Sequence, residues 1–131
     1  MRPKILTVDD SKTLRVLIQR TLADYECDVS EATNGYNALF QMERALPDLL
    51  LLDVNMPVMG GLEMLTMMRS NAVLKALPVI MLTSPADHAV LGELTSLGVS
   101  GIVQKPFTPA ALIEQIRAVL DLRPVPPAKP E

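Results

Sequence analysis

The sequence predicts an α/β domain: a five-stranded parallel sheet with helices on both faces, a three-layer αβα arrangement. Two observations carry this. Short β-type runs alternate with helix-period segments from one end of the chain to the other, and that alternation builds parallel strands joined by crossover helices. A length of 131 residues with 49 % hydrophobic content supports one domain with a real core and is too little for two.

The strands fall at Lys4 to Val8, Asp28 to Ala32, Leu49 to Asp53, Val79 to Thr83 and Gly101 to Gln104. Between the first two, Leu14, Leu17, Ile18 and Leu22 recur at helical spacing, with Ser11 as N-cap and Arg15, Gln19 and Arg20 on the wet side. Gly35 to Arg44 presents Ala38, Leu39 and Met42 before Pro47 stops it, and Leu62 to Arg69 presents Leu62, Leu65 and Met68. A fourth helix carries Val90, Leu91, Leu94 and Leu97 and closes at Gly98. These four span more than one stripe can bury, so Leu91 is expected to face solvent. In the fifth, Thr108 caps, Pro109 suits the first helical position, and Leu112, Ile113, Ile116, Val119 and Leu120 form one stripe. Five of the eight Met lie between Met56 and Met68, and core and loop packing account for them.

The domain is thus residues 1–122. Residues 123–131 hold four of the eleven prolines and read as an extended or disordered tail that makes neither helix nor ladder. The tail is either a true terminus or the start of a linker.

Composition excludes several function classes. A net charge of −3 offers nucleic acid no broad basic surface. A single Cys (Cys27) and a single His (His88) permit neither an internal disulfide nor a Cys/His zinc site, so any metal must be held by oxygen. Cys27 reads as packing and His88 as a solvated helix start. No apolar run approaches the roughly 18 residues of a membrane span, and the expectation is a cytoplasmic, soluble protein.

Ligands of open parallel sheets bind at the carboxyl ends of the strands. Here the first strand runs into Asp9-Asp10, the third ends in Asp53, the fourth in Thr83-Ser84 and the fifth in Gln104-Lys105-Pro106. Three ionised carboxylates within about 5 Å repel one another by roughly 3 kcal/mol per pair at an effective dielectric of 20, so cations must sit among them. One lysine and one Mg²⁺ bring the sum to neutrality, and Mg²⁺ keeps coordination positions for phosphoryl oxygens. The inventory suits phosphoryl transfer, which is mostly positioning and charge neutralisation. After the first strand there is no Gly-x-Gly-x-x-Gly and no Walker Gly-Lys-Ser/Thr, and the acid pair standing there would repel a cofactor phosphate. An aspartyl-phosphate phosphatase would place a second Asp two residues after its nucleophile. Asn55 stands there instead, and its amide cannot protonate a leaving group.

The runs Ile5-Leu-Thr-Val-Asp-Asp-Ser-Lys and Leu50-Leu-Leu-Asp-Val-Asn-Met-Pro-Val-Met-Gly-Gly, the strand-end Thr83-Ser84 and the run Lys105-Pro-Phe resemble the receiver domain of two-component response regulators, over about residues 4 to 121. The resemblance implies a flavodoxin-like strand order of 2-1-3-4-5. It implies that Asp53 is the phosphoacceptor, that Asp9 and Asp10 are the acid pair, and that Mg²⁺ is held by Asp9, Asp10, Asp53 and the Asn55 backbone carbonyl. Asp10 would be the direct metal ligand of the pair. Thr83 would be the switch hydroxyl, Lys105 the lysine that pairs with the phosphoryl group, and Pro106 a cis-proline. Ser84 would donate only a backbone N–H. Where relatives carry Tyr or Phe three residues before the lysine this chain has Ile102, and Gly60 replaces a common Asp. A backbone or helix shift is therefore expected in place of a ring flip.

The function so implied is a signalling module, not an enzyme: Mg²⁺-dependent transfer from a phosphohistidine of a histidine kinase or phosphotransfer protein to Asp53 changes a protein-binding surface over residues 83–121. Asp10-Ser11-Lys12-Thr13 resembles stand-alone chemotaxis receivers. The expected state is a monomer or a weak phosphorylation-dependent dimer. The alternatives are a receiver-like binding module that works without phosphate and, third, the phosphatase.

Overall fold

A computed structural model gives the structure over residues 2–126. Strands β1 (Lys4–Val8), β2 (Asp28–Ala32), β3 (Leu49–Asp53), β4 (Val79–Thr83) and β5 (Gly101–Gln104) alternate with helices α1 (Lys12–Leu22), α2 (Gly35–Arg44), α3 (Gly61–Arg69), α4 (Leu91–Ser96) and α5 (Pro109–Arg117). A 3₁₀ turn, Pro85–Val90, leads into α4. All four strand pairings are parallel, in the order β2-β1-β3-β4-β5. The five strand ranges coincide with those read from the sequence.

Alternate residues of a strand point to opposite faces, and the central strands have apolar residues on both. Leu50 and Leu52 of β3, with Leu6, Val8, Val79 and Met81, pack under α2, α3 and α4 against Ala38, Met42, Met64, Leu65, Met68 and Leu94. Leu49 and Leu51, with Ile5, Ile80 and Leu82, pack under α1 and α5 against Ile18, Leu22, Leu112, Ile113 and Ile116. The two layers hold the sheet from both sides, and no helix among the described residues is long and apolar enough to cross a membrane.

Local chemistry sets the helix ends. The side chains of Ser11, Asn34 and Thr108 accept hydrogen bonds from the backbone N–H groups of Leu14, Asn37 and Ala111, each satisfying a donor the helix leaves free. Gly98 ends the fourth helical segment at φ 73°, a left-handed conformation in which glycine has no steric penalty. Cys27 is buried and His88 exposed.

Four expectations need correction. Leu91 does not face solvent: Val90, Leu91 and Leu97 are half-buried against the α2–α3–α4 core, and Leu94 is fully buried. Leu91, Leu94 and Leu97 recur every third residue along α4 and its C-cap, and at about 100° per residue they fall within roughly 120° of one another, a face the core can cover. Leu17 is exposed at 37 %, because Ile18 and Leu22 take the inner face and Leu17 lies about 100° round the helix from Ile18. Arg15 is half-buried rather than wet, held by Glu31 at 3.1 Å and the Asp9 carbonyl at 2.8 Å. The start of the tail is extended but does pair: Pro124 bridges Tyr25 antiparallel, and the Glu26 and Val125 N–H groups bond to the Arg123 and Asp24 carbonyls. Both bonds are made by the residues that flank Pro124, so its missing N–H costs nothing. Residues 127–131 of the expected tail lie outside the described residues.

The β3–α3 loop contains Val58 at φ 71°, 83 % exposed. A β-branched residue there carries steric strain of about 1–2 kcal/mol. Val58→Gly is expected to stabilise the fold by about 1 kcal/mol after the entropy of the freer unfolded chain is deducted, read as a higher urea midpoint at unchanged slope.

Candidate functional site

All five strands are parallel, so their carboxyl ends lie on one edge, and the order places the reversal of connection between β1 and β3. That is where a doubly wound sheet opens a crevice. Val8 and Leu52 are paired across it, so Asp9 and Asp10 leave β1 beside Asp53 at the end of β3. Carboxylate oxygens of Asp9, Asp10 and Asp53 lie within 4.8 Å of one another. From the other side, Lys105 follows β5 and donates from Nζ to Asp53 Oδ1 at 2.7 Å. Thr83, the last residue of β4, is buried, and its carbonyl accepts from the Lys105 backbone N–H. The Lys105–Pro106 peptide bond is cis.

The environments of the three acids differ. Asp53 is 2 % exposed; burial pushes its pKa up, while the Lys105 ammonium and the Asn55 N–H, 3.4 Å from Oδ1, pull it down, leaving it raised. Asp9 is fully buried, and burial lifts it from 3.8 to about 6, opposed by the Ser11 N–H and reinforced by the Asp53 charge. Its Oδ1 accepts from that N–H at 2.7 Å, but its Oδ2 is buried with no partner. A buried carboxylate oxygen without a donor is costly, and a hard cation among three carboxylates would satisfy it. Asp10 is exposed.

The six residues singled out from the sequence therefore meet at one edge, with Asn55 joined to Asp53 through its backbone N–H. The Asn55 side chain goes elsewhere: Nδ2 donates to Asp87 Oδ1 at 2.6 Å. Asp87, Arg15 and Gly61 were not foreseen. Asp87 had a legible signal, since Ser84-Pro-Ala-Asp87 has the spacing of a capping box, and that box forms. Burial pushes Asp87 up, but hydrogen bonds from Ser84 and Asn55 outweigh it and hold the carboxyl below its ordinary value. Arg15 had none, because periodicity reports where a helix points a residue and not how far a guanidinium reaches back. Gly61 sits so close to β3 that an added Cβ would overlap the Asp53 carbonyl oxygen.

The family model described as response regulator receiver domain matches residues 5–117. The chain belongs to the receiver-domain family. Among curated relatives, the receiver is 39 % identical over 120 residues to chemotaxis protein CheY1 of Helicobacter pylori, covering 89 % of this chain and 96 % of that one. It is 39 % identical over 119 residues to chemotaxis protein CheY of Pseudomonas aeruginosa, covering 90 % and 96 %. Among solved structures, chemotaxis protein CheY4 of Vibrio cholerae superposes with a TM-score of 0.84 at 35 % identity, covering 92 % of this receiver and 100 % of that chain. This is a response regulator receiver of two-component signalling, and the acidic edge is its candidate site.

Proposed function

We propose that this receiver accepts a phosphoryl group on Asp53 and thereby switches a protein-binding surface over residues 83–121. The observation that carries the reading is a buried carboxylate, Asp53, gripped by Lys105 at 2.7 Å beside two further acids, one of which keeps an unpartnered buried oxygen. The donor is a phosphohistidine of a histidine kinase or phosphotransfer protein, or a small acyl phosphate. With phosphohistidine, an Asp53 carboxylate oxygen forms the new P–O bond, the P–N bond breaks, and the imidazole leaves with the bonding pair and takes a proton. Lys105 neutralises charge on Asp53 and on the incoming group, and the Asn55 N–H orients the carboxylate. Thr83 offers a hydroxyl at the end of β4. Asp9, Asp10 and Asp53, with the Asn55 carbonyl, would hold Mg²⁺, which when bound supplies charge neutralisation for carboxylates and phosphoryl oxygens. The group is stored and then lost to water, so the chain acts as a cytoplasmic signalling carrier rather than an enzyme. Likeness to the chemotaxis proteins supports a place in chemotactic signalling, with a protein as the downstream target.

Incubation with acetyl phosphate and Mg²⁺, followed by intact mass, should show one phosphoryl adduct per chain, and excess chelator should abolish it. An adduct that forms equally well in chelator, or none with Mg²⁺, counts against the reading.

The raised pKa of Asp9 sets a pH dependence. An acid that binds its proton more tightly when folded stabilises the fold while protonated. The metal-free chain therefore loses stability as pH rises from about 4 to above 6, by on the order of 2–3 kcal/mol. Mg²⁺ requires the ionised acid, so its affinity should climb by up to about tenfold per pH unit below 6 and level off above about 7. Calorimetric titration across that window checks it; a flat affinity would exclude Asp9 from the metal site.

A further inference from the structure

Asp87 has no part in the chemistry above, yet its carboxylate binds both loops that flank Asp53. It lies in the 3₁₀ turn after β4 and is 6 % exposed. Oδ2 accepts from the Ser84 backbone N–H at 2.7 Å and from the Ser84 hydroxyl at 3.1 Å, and Oδ1 accepts from Asn55 Nδ2 at 2.6 Å. Asn55 in turn directs its own N–H at Asp53, and Ser84 immediately follows Thr83. One carboxylate thus ties the β3–α3 loop to the turn before α4. A helix cap alone would account for the Ser84 bonds, but not for Asn55, which is 32 residues away in the chain.

A phosphoryl group on Asp53 brings three strong acceptor oxygens. Lys105 and the Asn55 N–H already face the carboxylate. The Ser84 N–H is the next backbone donor beyond the end of β4, and Asp87 saturates it with a charge-assisted bond. Phosphate can take that donor only by displacing Asp87. Resting on the phosphoacceptor reading of Asp53, we propose that Asp87 is a resting-state latch. It is a positioning residue that holds the Ser84 N–H and the Asn55 side chain in the unphosphorylated arrangement and must release Ser84 for the chain to switch. A ligand shifts a two-state equilibrium by its differential affinity for the two states, so weakening the latch raises affinity for anything that stabilises the switched state.

The test uses the full chain as wild type, Asp87→Asn and Asp87→Ala, each titrated with beryllofluoride as phosphoryl mimic at saturating Mg²⁺, with the Ser84 amide resonance followed by NMR. Both variants should bind the mimic at least about threefold more tightly than wild type, while Mg²⁺ affinity without it stays within about twofold, which a general loosening of the site would not leave intact. The wild-type Ser84 resonance should move on binding, and in Asp87→Asn it should start displaced toward the bound position. Folded variants that bind no more tightly, or a wild-type Ser84 resonance that does not move, overturn the latch. If both variants fail to fold, the wild-type resonance decides alone. A wild-type chain that binds no beryllofluoride overturns the reading of Asp53 and the latch with it, a result distinct from failure of the latch alone.

Discussion

Asp53→Asn should leave a folded chain whose labelling by acetyl phosphate falls at least about a thousandfold. The amide is isosteric, and its oxygen can still accept from Lys105 and from the Asn55 N–H. It removes a buried charge whose burial already pushes its pKa up, so the metal-free variant should be no less stable than wild type. What it lacks is the nucleophilic carboxylate, and loss of a nucleophile removes orders of magnitude that neighbours do not restore. Intact mass before and after incubation reads the rate, and thermal unfolding reads the fold. Labelling at the wild-type rate in this variant would mean that another carboxylate takes the phosphoryl group.

The second large effect is structural. Gly61→Ala should destabilise the fold by about 3 kcal/mol and weaken Mg²⁺ binding as well. An added Cβ would overlap the Asp53 carbonyl oxygen and lie 2.9 Å from both the Asp53 carbonyl carbon and Val54 Cα. These are backbone atoms, so no rotamer change relieves the clash. The Gly61 N–H also donates to the Val54 carbonyl at 2.9 Å, so the start of α3 cannot move away without giving up that bond. Overpacking against backbone costs in this range, and the displaced atoms carry Asp53 itself. A urea titration and a Mg²⁺ titration on the same variant check both parts; a variant of unchanged stability would show that α3 is not clamped to β3. Gly60→Ala is the control: its Cβ would meet nothing closer than the Val54 carbonyl at 3.4 Å, so its cost should be well under half as large.

The central strands β1, β3 and β4 are legible because each is a short apolar run buried on both faces and bounded by charged or Pro residues, whereas the edge strand β2, Asp-Val-Ser-Glu-Ala and mostly exposed, is legible only from the alternation of strands and helices. Helix caps at Ser11 and Thr108 were legible for a similarly local reason: an oxygen three residues before a free N–H is a sequence fact. The acidic edge was legible because strand ends of a parallel sheet converge whatever the details of packing. Less legible were features that depend on how far a side chain reaches. Arg15 was placed on the wet face by its helical phase, yet its guanidinium folds back to the Asp9 carbonyl. The apolar face of α4 is roughly 120° wide, and how much of it the core covers, Leu91 included, depends on packing that helical phase does not report. Asp87 is legible as a cap but not as a tie between the two loops, because its partner Asn55 is remote in sequence and adjacent only once β3 and β4 pair. Local rules find caps and strands, whereas contacts between the two loops at the strand ends appear only with the fold.

The claim that Asp53 is the acceptor is tested most directly by locating the phosphoryl group. An acyl phosphate is reduced by borohydride to the alcohol, so labelling the chain with acetyl phosphate and Mg²⁺, reducing and mapping peptides should place a single homoserine at position 53. Homoserine at position 9 or 10, or none at all in a chain that binds Mg²⁺, would contradict the account.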